Sequence, residues 1–597
     1  MFSCFKNTLP TPVKLHTGFK LPIEYTNPDT IHKIPAQVAD DLELTTMYHT
    51  LLTPNHEFAK PIVECWSKTV SSDTRFLNET QQVISRVPTY LEKGRLTTTA
   101  NEITELWSNT KEDTRFMEKY SYIEWDSVRY LNNSSPFLQA MSLINMSSPI
   151  LSLLIPIIFF IFPFVLLKLQ GVPITFSVYI DVLKNVARNH FIGSLIQNIQ
   201  SISFDKLIYL LMTAGMYMLQ IYQNYNACIR FYTNTNKMNN QLCILNDYLT
   251  ASIHNIHIFT RLNNDLASYK DFCENALANA EVLRRLQQAL QTIQPFQVGF
   301  SKVTEIGYML KCYYQIHSDP EYEHSIKYAV GFDGFMRTLA GVSDNIQTNK
   351  VAFATFANEN QCVLTKQYYP AYANTKHVKN SCDLTDNMVI TGPNASGKTT
   401  ILKTTLLNII FTQQFGCGFY GSFLLHPYTH LHSYLNIPDT SGRDSLFQAE
   451  SRRCKDILDI VDDTETATAR HFCIFDELYS GTNPSEAISA ANAFLLYLTS
   501  KPNVSFMLTT HYVSLCKRLR GSPKITNYKM DAKYNEVQHR MEYFYRLKRG
   551  ISTIKGGLAV LEEMNYPEAI LSQLRIEKVQ SVAPSSPRSM GVLHEQR

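Results

Sequence analysis

Apolar residues follow three patterns along this chain, and each predicts a different element. In the first they recur every three or four positions, as on one face of a helix. Leu42, Leu44, Met47, Tyr48, Leu51 and Leu52 form such a stripe before Thr53-Pro54 stops it, and amphipathic stretches follow at Phe58 to Trp66, Phe76 to Val87 and Ile103 to Phe116. The texture returns from Phe231 to about Ala340. There Leu242, Ile244, Leu245, Tyr248 and Leu249 make one stripe, and Ala276, Leu277, Val282, Leu283, Leu286, Leu290 and Ile293 another. These predict long packed helices whose stripes are core. Asp73-Thr74-Arg75-Phe76 and Asp113-Thr114-Arg115-Phe116 echo each other and read as two helix starts capped by aspartate or threonine.

The second pattern is unbroken apolarity. No charged residue lies between Arg129 and Lys168, and Pro149 to Leu167 is almost wholly apolar, long enough to cross a bilayer. A second uncharged window lies between Lys206 and Arg230, centred on Leu207 to Tyr222, with tyrosines near its ends as at a membrane interface. Together they predict a membrane hairpin over 148–230 that leaves both flanks on one side. A pair of buried helices in a large helical domain is the competing reading, and Pro156 and Pro163 speak for it. Against it, a helix apolar all round needs more neighbouring protein than this region offers. Lys168, Lys184, Arg188 and Lys206 lie inside the hairpin and other basic residues flank it outside, so charge does not set its orientation.

The third pattern is a short apolar run that stops abruptly. Met388-Val389-Ile390 leads into Thr391-Gly392-Pro393-Asn394-Ala395-Ser396-Gly397-Lys398-Thr399-Thr400, a complete G-x-x-x-x-G-K-[ST] phosphate loop. Gly392 and Gly397 allow the tight turn whose backbone N–H groups face the phosphates. Lys398 reaches the β and γ phosphates, Thr399 offers a hydroxyl to Mg2+, and the helix that follows turns its positive end to the nucleotide. His471 to Phe475 is a second apolar run ending in Asp476-Glu477. Asp476 is suited to hold Mg2+ through its water shell, and Glu477 to polarise the water that attacks the γ-phosphate. A third run, Val504 to Leu508, leads to Thr509-Thr510-His511, where His511 is placed to sense the γ-phosphate or orient the water.

Composition adds bounds. A chain of 597 residues should hold more than one domain. A formal net charge of only +3 does not mark a nucleic-acid binder, though a local basic face remains possible. The 12 cysteines are scattered without a C-x-x-C pair, so they read as reduced core thiols and neither zinc ligands nor a disulfide frame. The N-terminus lacks the apolar core of a signal peptide, and a cytosol-facing, reducing setting is expected.

At five blocks in order the chain resembles the MutS DNA mismatch-repair ATPases. The blocks are Thr391-Gly392-Pro393-Asn394; Ser445-Leu446-Phe447-Gln448-Ala449-Glu450, similar to the family's Ser-Thr-Phe-x-x-Glu; Asp476 to Asn483, similar to its Asp-Glu-x-x-x-Gly-Thr run; Thr510-His511-Tyr512; and Tyr545-x-Leu547-x-x-Gly550 before Tyr566-Pro567. The likeness covers about Val351 to Leu574 and, more weakly, the helical stretch from about Asp40, where Tyr48-x-x-Leu51-Leu52-x-x-Pro54 is similar to the start of the family's helical core. It implies an ATPase using ATP and Mg2+ that works as a homodimer or MutS-like heterodimer, with two nucleotides between the subunits and DNA as partner. Asn483 then joins the nucleotide-binding residues. Ser445 opens an amphipathic helix, so its hydroxyl and the helix N-terminus are poised for a phosphate held by another subunit.

The fold expected is an α/β P-loop ATPase domain of ABC or MutS type, preceded by a mostly helical core or lever region holding the membrane hairpin. The divisions are an irregular arm at 1–39, a first half of the helical core at 40–147, the hairpin at 148–230, a second half at 231–350, the ATPase domain at 351–577 and a disordered tail at 578–597. There is no room before the helical core for a mismatch-reading domain, and the hairpin takes the place of the family's DNA-gripping arms. The leading expectation is ATP-driven dimer closure on mismatched or branched DNA in repair or recombination. The alternative is a membrane-tethered mechanical or scaffold ATPase without mismatch recognition. A transport ATPase is disfavoured because the L-S-G-G-Q signature is missing before Asp476.

Overall fold

A computed structural model describes residues 18–95, 99–171, 175–187, 204–296, 300–357, 359–435, 437, 445–463, 469–535, 540–554, 557–564 and 566–580. Residues 1–17 of the expected arm and 581–597 of the expected tail lie outside them. The chain divides into two compact units.

The first unit comprises Met1–Phe19, Gly94–Ile258 and Asn275–Gly331. Its frame is helical: α1 (Ser135–Leu169), α2 (Phe176–Ala187), α3 (Phe204–Asn263, of which 204–258 belong here) and α4 (Phe300–Ser318). The Ser134 hydroxyl accepts from Phe137 N at 3.5 Å to start α1, with Pro136 in the first turn, where its missing N–H costs nothing. α1 and α4 approach closely at Gly307. A Cβ there would stand 2.4 Å from the Ser135 carbonyl oxygen, and the Gln139 amide bridges the gap, donating to Val303 O and accepting from Gly307 N, both at 2.8 Å. Farther along α3, Leu242, Leu245, Tyr248 and Leu249 of the expected stripe are buried together with Met238, while Ile244 is half-buried. The Asp113 carboxylate accepts from Arg115 N at 3.0 Å in the turn before a short helix, Phe116–Lys119, which has no side-chain cap and presents Phe116 to Tyr313 and His317.

α1 is one continuous helix through Pro149, Pro156 and Pro163, and it lies antiparallel to α3. Tyr217 donates to Ser152 O at 2.6 Å, Asn224 to the Ser152 hydroxyl at 2.5 Å, and Cys228 to Met146 O at 3.4 Å. Facing away from this seam, Ile150, Leu153, Ile157, Ile158, Ile161 and Phe164 of α1 are exposed, as are Leu211, Met212, Met216, Met218 and Leu219 of α3. By length and composition one helical stretch among the described residues can cross a membrane, Ser135–Leu154. It overlaps the start of the expected Pro149–Leu167 window, and the Leu207–Tyr222 window lies inside α3.

The second unit gathers Lys20–Lys93, Phe259–Glu274 and Phe332–Arg597. Its centre is built from β1 (Asn387–Thr391), α5 (Lys398–Phe415), β2 (His430–Tyr434), α6 (Leu446–Asp462), β3 (His471–Asp476), α7 (Pro484–Ser500), β4 (Val504–Thr510), β5 (Ile525–Asn535) and β6 (Arg540–Arg549). The strands form one sheet in the order β2-β3-β4-β1-β5-β6, parallel up to β5, with β6 antiparallel at the edge. A parallel sheet needs crossovers that cover its faces, which is why β3, β4 and β1 at its centre are buried over nearly their whole length. β1 is buried at every position. A four-stranded sheet of Thr355–Phe356, Ser422–Leu425, Cys362–Gln367 and Asn380–Asp383 stands beside it.

α5 is buried along nearly its whole length although Thr, Asn and Gln make up much of it. Inward polar groups along its C-terminal half have partners. Gln414 donates to Trp66 O and Thr69 O, both at 2.6 Å, and accepts from the Tyr48 hydroxyl at 2.5 Å. Gln413 donates to Ser71 O and Tyr428 O and accepts from Tyr428 N, and Asn408 accepts from Phe419 N. Gln81, on the helix Thr74–Lys93, donates to Gly416 O at 2.8 Å and Ala354 O at 2.9 Å. The N-terminal segments are thereby fastened to the helix behind the 392–398 loop. In the stretch expected to be an irregular arm, Ile31–Lys33 pairs antiparallel with Thr69–Ser71, and Leu21 and Ile23 are buried.

Candidate functional site

The site grows from the end of β1. Beyond Thr391, whose hydroxyl donates to Tyr528 O and accepts from Ser552 N, the chain turns at Gly392, where a Cβ would stand 2.7 Å from the Ser396 hydroxyl. Ala395 (φ 60°) and Gly397 (φ 89°) take the left-handed conformation that closes the loop, and Lys398 then opens α5. The Lys398 ammonium is folded inward, donating to Gly392 O and Pro393 O at 3.2 Å each. Burial pushes its pKa below the usual lysine value, and the carboxylates of Glu477 and Asp476 work against that. The Ser396 hydroxyl is buried with no hydrogen-bond partner among the described residues.

The neighbouring strands supply the second wall. β3 and β4 lie next to each other and β4 next to β1, so Asp476 pairs with Thr509 and Thr510 with Thr391. The Asp476 carboxylate accepts from the Thr399 hydroxyl at 2.7 Å and from the Thr509 hydroxyl. Three residues spread over the sequence thus meet at one carboxylate. Glu477 sits in the left-handed region (φ 53°), a conformation that costs a non-glycine residue about 1 kcal/mol or more. Its carboxylate lies 2.8 Å from His511 Nε2. That hydrogen bond holds the Glu477 carboxyl below the usual glutamate range, with the charges of His511 and Lys398 adding and partial burial opposing.

His511 Nε2 also lies 3.1 Å from the Lys398 ammonium. In the neutral ring this nitrogen either accepts from Lys398 or, carrying the proton, donates to Glu477, but not both. The three side chains therefore form a line with two exclusive hydrogen-bonding states.

A cavity of about 690 Å³ opens beside the loop, within the range of small-molecule sites. Asn394, Ala395, Gly397, Lys398, Thr399, Thr400 and Glu477 line one side. The other side holds residues that the sequence reading passed over. Tyr368 and His377 stack at 4.0 Å between centroids and 9° between planes, and Tyr372 stands nearby, half exposed. Asn380 ties this wall to β6, donating to Tyr545 O at 2.9 Å and accepting from Leu547 N at 2.8 Å. Tyr545 is itself left-handed (φ 55°), and its ring comes within 3.3 Å of where a Cβ on Gly397 would be. The aromatic run Tyr368-Tyr369-Pro370-Ala371-Tyr372 was the signal available for this wall.

Neither Ser445 nor Asn483 lines the cavity. Ser445 caps α6 in a reciprocal box with Gln448, and Asn483 caps α7 by accepting from Ser485 N at 2.9 Å. Glu450, one turn into α6, is buried. It accepts from Ser480 N (3.0 Å), the Ser480 hydroxyl (2.8 Å) and Gly481 N (3.1 Å), so α6 is clasped to the loop that follows Glu477. Gly481 has no room for a side chain, since a Cβ would meet Leu446 Cγ at 2.7 Å.

Residues 388–581 match the family described as MutS domain V. Among relatives, the DNA mismatch repair protein MutS of Lysinibacillus sphaericus (strain C3-41) is 27% identical over 217 residues, 36% of this chain and 24% of that protein. Endonuclease MutS2 of Lactococcus lactis subsp. cremoris (strain MG1363) is 29% identical over 232 residues, 38% of this chain and 29% of that one. The DNA mismatch repair protein MutS of Bacteroides fragilis (strain YCH46) is 27% identical over 34% of this chain and 23% of its own length. The matched part thus spans less than a third of each of these relatives. Through this C-terminal part, the chain is similar to the MutS family as a divergent relative of these proteins.

Proposed function

We propose that the chain is an ATPase that binds ATP with Mg2+ beside the 392–398 loop and couples hydrolysis to closure of a dimer on DNA. One observation carries the reading: the line Lys398, His511, Glu477, set next to an Asp476 carboxylate held by two threonine hydroxyls. The fit to a phosphate is chemical. A buried ammonium, a buried Ser396 hydroxyl without a partner and the start of an 18-residue helix converge on one loop. Thr399 and Asp476 would hold Mg2+, which when bound supplies charge neutralisation on the phosphates. Lys398 neutralises phosphate charge, Glu477 orients and polarises water, and His511 holds Glu477 as long as Lys398 is engaged elsewhere. The aromatic wall of Tyr368, His377 and Tyr372 suits the flat base of a nucleotide.

DNA enters through the relatives, two of which are named as DNA mismatch repair proteins and one as an endonuclease. Closure would bring Ser445, exposed at the tip of α6, to the nucleotide of a second subunit, identical or MutS-like, with the Glu450 clasp relaying its position to Glu477. The competing reading is a membrane-tethered mechanical ATPase without mismatch recognition. In either case the ATPase is expected at a membrane on the cytosolic or nuclear side. DNA affinity that falls steeply with salt separates the two, because phosphate contacts release counterions.

The test of the site is a pair of variants. Lys398→Ala should lose ATP binding, and unchanged affinity would overturn the assignment. Glu477→Gln should keep ATP affinity and lower turnover by about a hundredfold or more, and parental turnover would remove Glu477 from the role.

A further inference from the structure

We propose that α1 and α3 cross a lipid bilayer as an antiparallel pair, between the level of Asn145 and Arg230 and the level of Lys168 and Lys206. The first argument is what happens at the prolines. Pro149 and Pro156 lack the N–H that would bond the carbonyls of Asn145 and Ser152, four residues back. Both carbonyls are supplied from inside the protein, Asn145 O by the Ser148 hydroxyl at 3.0 Å and Ser152 O by the Tyr217 hydroxyl of α3 at 2.6 Å. A helix in water has no need of this, since solvent reaches a freed carbonyl. Within hydrocarbon it is a requirement.

The second argument is polarity turned inside out. The polar side chains Ser152, Tyr217 and Asn224 face the seam, and the seam positions on α3 are Tyr217, Ile221, Asn224 and Cys228, a heptad spacing. Outside that single stripe, the α3 residues described between Leu211 and Tyr222 are exposed and, Gln220 apart, none carries an amide or a charge, with Met212 at 68% and Met216 at 67%. The exposed residues of α1 cover about half its circumference by their spacing at 3.6 per turn. A second copy of the chain would cover one stripe of each helix. Surface this wide and this apolar is matched by lipid.

The third argument is length and charge. The register of Met146 with Cys228 and of Ser152 with Tyr217 and Asn224 sets Lys168 level with Lys206 at one end and Arg230 near Asn145 at the other. Between these ends α1 rises about 35 Å, enough for a hydrocarbon core of about 30 Å with some tilt. Cations bounding an uncharged belt are complementary to two layers of lipid phosphate.

The experiment adds full-length protein to preformed vesicles of phosphatidylcholine with a minority of phosphatidylglycerol. The protein should float with the lipid and remain through an alkaline carbonate wash, and external trypsin should spare Lys168, Lys184, Arg188 and Lys206 until detergent opens the vesicles. Combining Leu153→Asp, Ile158→Asp and Leu211→Asp should reduce the alkali-resistant fraction more than about tenfold, given the cost of aspartate at depth. Retained helicity in detergent would show that this variant folds. Tyr217→Phe, which removes only the hydroxyl given to Ser152, should reduce the same fraction severalfold without changing helicity. Wild-type protein released by carbonate, cleavage at those four sites in sealed vesicles, or a monodisperse oligomer without detergent would each overturn the proposal.

Discussion

Two helices of this chain show how weakly composition alone decides burial. α5, behind the 392–398 loop, carries Thr404, Thr405, Asn408, Thr412, Gln413 and Gln414 and is buried. α1, from Pro149 onward, carries almost nothing but apolar side chains and turns many of them outward. In α5 Thr405, Asn408, Thr412, Gln413 and Gln414 act as fasteners, each meeting a group of another segment, while Thr404 bonds back to Thr400 O of the helix itself, so desolvation is matched by a bond. In α1 the polar groups needed are those that repair the proline breaks, and the remainder is left to a medium that asks for no hydrogen bonds. Burial follows from what each surface meets: protein in one case, and in our proposal lipid in the other.

The comparison can be broken most severely at Gln414. Gln414→Ala would remove three buried hydrogen bonds, leaving Thr69 O without this donor and the Tyr48 hydroxyl with Trp66 O alone at 3.1 Å, and we expect a loss of about 3 kcal/mol in urea unfolding. A change below about 0.5 kcal/mol, the size expected of a surface substitution, would mean that the glutamine is no fastener.

An effect smaller per pH unit should come from His432, on β2 of the same unit. Burial holds its pKa down at about 3, with the neighbouring His471, His430 and Arg453 adding. A histidine lowered in this way is neutral in the folded chain while the unfolded chain takes up a proton near pH 6.5, so its contribution is complete above that pH and is lost as the pH falls towards 3. Unfolding free energy should decline by up to about 1.4 kcal/mol per pH unit in that window. His432→Gln should flatten the slope. An unaltered slope in the variant would assign it to other groups.

The smallest effect is expected on α1. Ile158→Ser, at an outward position, should change the thermal stability of detergent-solubilised protein by no more than about 0.5 kcal/mol. A loss of 2 kcal/mol or more, typical of an emptied core position, would show that Ile158 packs against protein, and the contrast with α5 would fall.

The sequence was most informative where an apolar run ends directly at a candidate site residue. β1, β3 and β4 run within a residue or two of the apolar runs that announced them, and Lys398, Thr399, Asp476, Glu477 and His511 are brought together because their strands are neighbours in the sheet. The clasp by Glu450 was not legible, because an acidic residue in an amphipathic helix looks like a solvated one until its three donors on another loop are seen. The wall formed by Tyr368, His377 and Tyr545 was hidden for a similar reason. Its members come from three separate segments, and the positive φ of Tyr545 that aims the ring has no marker in the residue type. Ser445 and Asn483 are visible within one chain only as helix caps, because any role across a dimer depends on atoms of a second subunit.

One feature of α3 bears on mechanics. Over its 60 residues the helix has no proline and a single glycine, Gly215, so it lacks the usual places to bend. A rod of this kind conveys displacement as tilt or rotation of the whole, and a push at its protein-packed end near Asp247 would arrive at Tyr222 undamped. Two spin labels at those positions should stay about 38 Å apart whatever nucleotide is supplied. A separation that changed with nucleotide would reveal a joint within the rod.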